Sequence, residues 1–142
     1  MQGAPLVLFS IGFFFAISYS TISLYTYGVS KDMEHVEEAE MSEAWIASGA
    51  YREHNLTLSI VARQIGVPQK QLQEWLRQSE YRKLAGLVTT LRIKEAQRVL
   101  VEHRDWSVES VADYCGFNDR KYFHQVFQQY TGTTPAKYQA NH

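Results

Sequence analysis

The sequence predicts an all-α protein: two helix-turn-helix subdomains joined by a long helix and preceded by a transmembrane helix. A helix–glycine–helix pattern between Ser107 and Pro135 recurs upstream at an offset of fifty residues. A helical run from Leu84 to His103 separates the two copies. An uncharged stretch from Ala4 to Tyr27 is long enough for a bilayer, which a helix of about 20 apolar residues crosses.

Charge divides the 142 residues into three parts. Residues 1–30 carry no charged side chain and form the expected span. Residues 31–42 set Lys31 against Asp32, Glu34, Glu37, Glu38 and Glu40 and form an acidic linker. Residues 43–142 set thirteen Lys and Arg against ten Asp and Glu. A total of −1 therefore hides a mildly basic domain whose charge is too modest to bind nucleic acid unaided.

The apolar run is rich in Leu, Ile, Phe and Val, and Tyr25 and Tyr27 suit a membrane interface. It lacks the basic start and small-residue cleavage site of a signal peptide. A buried helix of a larger soluble protein is the competing reading. Gly12, Ala16 and Ser20, four apart, would form a ridge of small residues on which two such helices could pair, unless the spacing is chance. Lys31 on the C-terminal side agrees with a C-terminus inside the cell. The connector that follows has good helix formers and no Pro or Gly, and reads as a solvated helix or a coiled-coil signalling helix. Trp45 and Ile46 begin the first core helix.

In the downstream copy Val108, Val111, Ala112 and Cys115 recur at helical spacing, and Gly116 ends the helix. Asn118 or Asp119 caps a second helix. Its core face is Phe123, Val126, Phe127 and Tyr130, and its polar face is Arg120, Lys121, His124, Gln125 and Gln128. Gly132 and Pro135 stop it. In the upstream copy Thr57, Leu58, Val61, Ala62, Ile65, Gly66 and Val67 repeat the first helix and its turn. Past the glycine the offset becomes fifty-one, pairing Leu72 with Phe123, Trp75 with Val126 and Leu76 with Phe127. The intervening helix contains Leu84, Leu87, Val88, Leu91, Ala96, Val99 and Leu100, and a plain long core helix is its other reading. Cys115 fits a small core residue in a reducing compartment.

Residues from about Ala44 to Tyr138 resemble the DNA-binding domain of the AraC/XylS family of bacterial transcription regulators. The segments that carry the likeness are LTLSIVARQIGV, LRIKEAQRVL, SVESVADYCGF, KYF, Phe127 and GTTPAKY. The resemblance implies seven helices and two recognition helices. The first would present Gln69, Lys70, Gln73, Glu74 and Arg77 to DNA, and the second Arg120, Lys121, His124 and Gln125. Arg and Lys can bond guanine, Gln adenine, and Glu the cytosine amine. Glu74, Gln125, Gln128 and Gln139 stand where relatives often carry a basic residue, and Tyr81 where a turn glycine is usual. Phosphate binding by one copy should therefore be weak.

No phosphate loop, dinucleotide fingerprint, zinc-protease motif or Cys pair occurs, and the five histidines have no ligand spacing. Neither an enzyme nor a cofactor is expected. The sequence reads as a DNA-binding regulator, anchored in the inner membrane by residues 4–27 with its C-terminal domain in the cytoplasm. Double-stranded DNA is the expected partner, with a second copy as a homodimer and RNA polymerase as further partners. The alternative is a degenerate helix-turn-helix module that binds a protein and no longer reads DNA. A soluble regulator whose apolar N-terminus packs on a sensor domain is a third reading.

Overall fold

The computed structural model describes residues 42–142. The expected span at 4–27, its small-residue ridge and the acidic linker up to residue 41 lie outside the described residues. Among the described residues no helix is long and apolar enough to cross a membrane. Seven α-helices and no strand appear there: α1 (described over 42–48), α2 (Leu58–Ile65), α3 (Gln69–Gln78), α4 (Leu84–Glu102), α5 (Val108–Tyr114), α6 (Arg120–Thr131) and α7 (Pro135–Asn141). A single 3-10 turn, Ala50–Arg52, follows α1.

The two copies repeat down to single hydrogen bonds. Thr57 caps α2 by accepting from the Ile60 amide at 3.2 Å, and Ser107 caps α5 by accepting from the Ser110 amide at 3.1 Å. Gly66 and Gly116 both take positive φ, 85° and 93°. The next amide reaches back in both turns: Val67 N–H to the Ala62 carbonyl and Phe117 N–H to the Ala112 carbonyl, each at 3.0 Å. Asp119, rather than Asn118, caps α6, accepting from the Tyr122 amide at 2.9 Å.

Each copy has its own core. Trp45 from α1, Val61 and Ile65 from α2, and Leu72 and Leu76 from α3 pack on Leu87 and Val88 of α4. Trp45 is buried, and its indole N–H donates to Gln64 Oε1 at 2.8 Å. Val111 from α5, Cys115 and Phe117 from the turn, and Phe123, Val126 and Phe127 from α6 pack on Ile93, Ala96, Val99 and Leu100 of α4. Burial pushes the Cys115 thiol up to about 12, as befits a core residue. Tyr138 of α7 closes this core edge-on to Phe127, their ring centres 5.5 Å apart.

The long helix thus serves both cores, and it does so from different sides. At about 100° per residue, Leu84, Leu87, Val88 and Leu91 centre on a direction about 140° away from that of Ile93, Ala96, Val99 and Leu100. Ile93, 1 % exposed, was missing from the expected apolar residues; at about 170° from the centre of the first stripe it lies at the far edge of the second. The helix ends at Glu102, one residue short of the expected His103, whose N–H closes the end on the Val99 carbonyl at 2.8 Å.

Three expectations are corrected. Trp75, paired with buried Val126 in the repeat, is 39 % exposed, because Leu72 and Leu76 already complete the seat of α3. Tyr130, expected in the core, is 50 % exposed, and its hydroxyl lies 3.0 Å from that of Thr90 on α4. Gly132 alone ends α6, with φ 75°, while Pro135 opens α7 at a first-turn position that needs no amide proton.

Phe123 and Phe127 are fully buried. Phe127→Ala should cost about 3–5 kcal/mol in denaturant unfolding, the range for deleting a buried aromatic ring. The exposed neighbour Gln128→Ala should stay within about 0.5 kcal/mol of the parent.

Candidate nucleic-acid interface

On α6 the side chains of Phe123, Val126 and Phe127 point into the core, so helical geometry turns Arg120, Lys121, His124 and Gln125 to the opposite, exposed side. None of these four enters a hydrogen bond or ion pair with another described residue. His124 meets the Phe123 ring edge-on, with ring centres 5.8 Å apart. The Asp119 carboxylate occupies the helix start, so this N-terminus is already supplied with an acceptor.

On α3 Leu72 and Leu76 are buried, which turns Gln69, Lys70, Gln73, Glu74 and Arg77 outward; all five are exposed. Pro68 precedes the helix without a side-chain cap, leaving the first amides free of one. Two of the five expected contacts are tied to each other. Glu74 Oε1 accepts from Arg77 Nη2 at 2.7 Å and from Gln78 Nε2 at 2.8 Å. The Arg77 and Gln78 donors hold the Glu74 carboxyl below its ordinary range. Gln69, Lys70 and Gln73 make no such bond to another described residue.

The turn after α3 accommodates the missing glycine one residue later. Arg82, not Tyr81, takes the left-handed conformation with φ 62°, and its guanidinium donates to the Arg77 carbonyl at 3.1 Å. The remaining described histidines have partners within the domain. His54 bonds the Asn118 side chain, His103 stacks on Trp106, and His142 stacks on Tyr138.

Sequence reasoning missed a polar cluster between the two copies. Arg92, half-buried on α4, donates from Nε to the Tyr51 carbonyl at 2.8 Å and from Nη2 to the Glu53 carbonyl at 2.7 Å. Its guanidinium lies 5.8 Å from the centre of the Phe117 ring. Arg52 reaches Glu95 at 3.4 Å, bonds the Tyr114 hydroxyl and lies over the Tyr114 ring at 4.7 Å. A Cβ on Gly116 would collide with the Arg52 carbonyl oxygen and sit 3.0 Å from Arg92 Nε, so close approach as well as positive φ requires glycine there. No motif marks these positions. The only sequence signal is an arginine between the two apolar stripes of α4.

Comparison with known proteins agrees with this architecture. Residues 61–141 match a family model described as a helix-turn-helix domain. The HTH-type transcriptional regulator GadX of Escherichia coli K12 is 34 % identical over 86 residues, covering 61 % of this chain and 31 % of GadX. The chain thus spans about a third of the length of that relative. The crystal structure of a DNA-binding transcriptional dual regulator from Escherichia coli K-12 superposes with a TM-score of 0.63 at 27 % identity, over 75 % of this chain and 97 % of the other. The DNA-binding domain of AdpA, a global transcriptional factor solved with a target DNA, shares the fold with a TM-score of 0.60 at 23 % identity, over 73 % and 90 % of the two chains.

Free and paired side chains should behave differently on substitution. Arg120→Ala and Lys121→Ala should each weaken binding to a selected duplex by about 1–3 kcal/mol in a mobility-shift titration. Unchanged affinity in both, with helicity intact by circular dichroism, would remove α6 from the interface. Glu74→Gln removes an anion and releases Arg77. It should strengthen binding to non-specific duplex and steepen the dependence of log K on log salt by up to about 0.9, one phosphate contact.

Proposed function

The chain belongs to the AraC-type helix-turn-helix family of DNA-binding transcriptional regulators, and we propose that it reads DNA sequence with α3 and α6 in successive major grooves on one side of the duplex. The observation that carries this reading is the duplicated geometry: the same cap, glycine turn and exposed polar helix occur twice. The spacer fits as well. The 19 residues of α4 span about 28 Å at 1.5 Å each, near the roughly 34 Å of one duplex turn.

The side chains have distinct roles under this reading. Arg120 and Lys121 are free cations placed for guanine O6 and N7 or for phosphate, and Gln125, Gln69 and Gln73 for adenine. Lys70, beside the uncapped start of α3, sits where backbone amides also attract phosphate. Arg77, held by Glu74, contributes less than an unpaired arginine. His124 supplies a ring nitrogen to a base or phosphate.

The proposal extends to the membrane. Residues 4–27 act as a single span with residues 43–142 on the cytoplasmic side, where the DNA is. Pairing of spans along Gly12, Ala16 and Ser20 would bring two domains together. A second binding event then becomes intramolecular, which offsets the modest charge of each copy.

Guanine-N7 methylation lies in the major groove and reports directly on this reading. Methylation interference with the full chain should give two windows on one face, about 10 base pairs apart. A single window would leave one of the two helices out of the groove. The chain expressed in cells should stay with membranes through an alkaline carbonate wash; release by the wash would remove the anchor from the proposal.

A further inference from the structure

Arg92 lies where α4 changes its buried side, and its guanidinium touches both subdomains. Two of its N–H groups are bound by the Tyr51 and Glu53 carbonyls, on the segment between α1 and α2. Its far side faces the Phe117 ring, three residues before α6 begins. Resting on the reading that α3 and α6 enter successive grooves, we infer that Arg92 is a positioning residue that fixes the angle between the two recognition helices and so sets the half-site separation this protein accepts.

The chemistry requires arginine. A planar guanidinium can donate to two carbonyls and still present a face to an aromatic ring, whereas an ammonium is a single compact charge. The Tyr51 and Glu53 carbonyls would otherwise need other donors. A second link runs beside it, from Arg52 to Glu95 on α4 and to Tyr114 on α5. Asn118, just before α6, bonds His54 and Asn55 on the opposite side of the junction. These contacts tie the segment after α1 to α4, to the end of α5 and to the turn before α6.

Small errors at this junction are large at the DNA. The 12 residues of α6 extend about 18 Å, so a tilt of about 10° at its start moves its far end by about 3 Å. That is a full hydrogen-bond length, enough to take a side chain off a base edge. The hydrogen bonds of Arg92 go to the Tyr51 and Glu53 carbonyls and none to the expected DNA-facing residues of α3 and α6, so its loss should spare each half-site and damage only their combination.

The test uses the full chain in detergent and a set of duplexes: both half-sites at the preferred separation, the same with one base pair added or removed, and each half-site alone. The parent should prefer the correct separation by at least about tenfold. Arg92→Lys, which keeps the charge and loses the fork, should reduce that preference below about threefold while single half-site binding stays within about twofold. Arg52→Ala should move the preference in the same direction and decides the matter if Arg92→Lys does not fold. Full preference retained in the folded variants overturns the inference, as does single half-site binding that falls in parallel with full-site binding. A parent without any separation preference instead sinks the two-groove reading itself.

Discussion

One helix has to complete two hydrophobic cores that lie on different sides of it. Two short helices bury too little apolar surface to hold together alone. In each copy the missing wall is a stretch of α4: Leu87 and Val88 for the first, Ile93 to Leu100 for the second. Rotating the apolar stripe by about 140° within one helix leaves a sector near its middle that belongs to neither core. Arg92 fills that sector, with its charge satisfied by backbone carbonyls rather than by a carboxylate. On the inference drawn above, the relative orientation of α3 and α6 follows from this single arrangement.

The copies are built alike but finished differently. The second buries three phenylalanines, with Phe117 and Phe127 centred 4.9 and 5.6 Å from Phe123, and Tyr138 of α7 packs against it. Its exposed helix carries two unpaired cations next to a capped N-terminus. The first has Trp75 at its surface, an uncapped α3 and an arginine held by Glu74. In the proposed complex this places the stronger cationic contacts on α6 and leaves α3 to work more through its glutamines and helix start.

Much of this was legible in the sequence because it is local. Thr57 and Ser107 before apolar runs, glycines at 66 and 116, and the Phe123–Phe127 spacing each specify a cap, a turn or a face within a few residues. The polar faces of α3 and α6 were legible for the same reason, being the complements of those apolar ones. Trp75 and Tyr130 were misplaced, and Ile93 was passed over, because periodicity marks a face without saying what meets it. The second stripe of α4 exists only because α5 and α6 fold back on it, and Trp75 is left out because its neighbours suffice. The Arg92 junction joins residues 41 apart in sequence, and no local pattern encodes a bond of that span. Likewise the Glu74–Arg77 pair offsets two charges that a motif alone would assign to DNA.

On this account α4 and the Arg92 junction hold both subdomains as one rigid body before DNA arrives. Residual dipolar couplings of backbone amides in the DNA-free full chain, prepared in detergent micelles, measure this directly. Couplings from residues 58–78 and from residues 108–131 should fit one alignment tensor with the same magnitude and axes. Two tensors of different magnitude would show the subdomains reorienting independently, and would contradict the account.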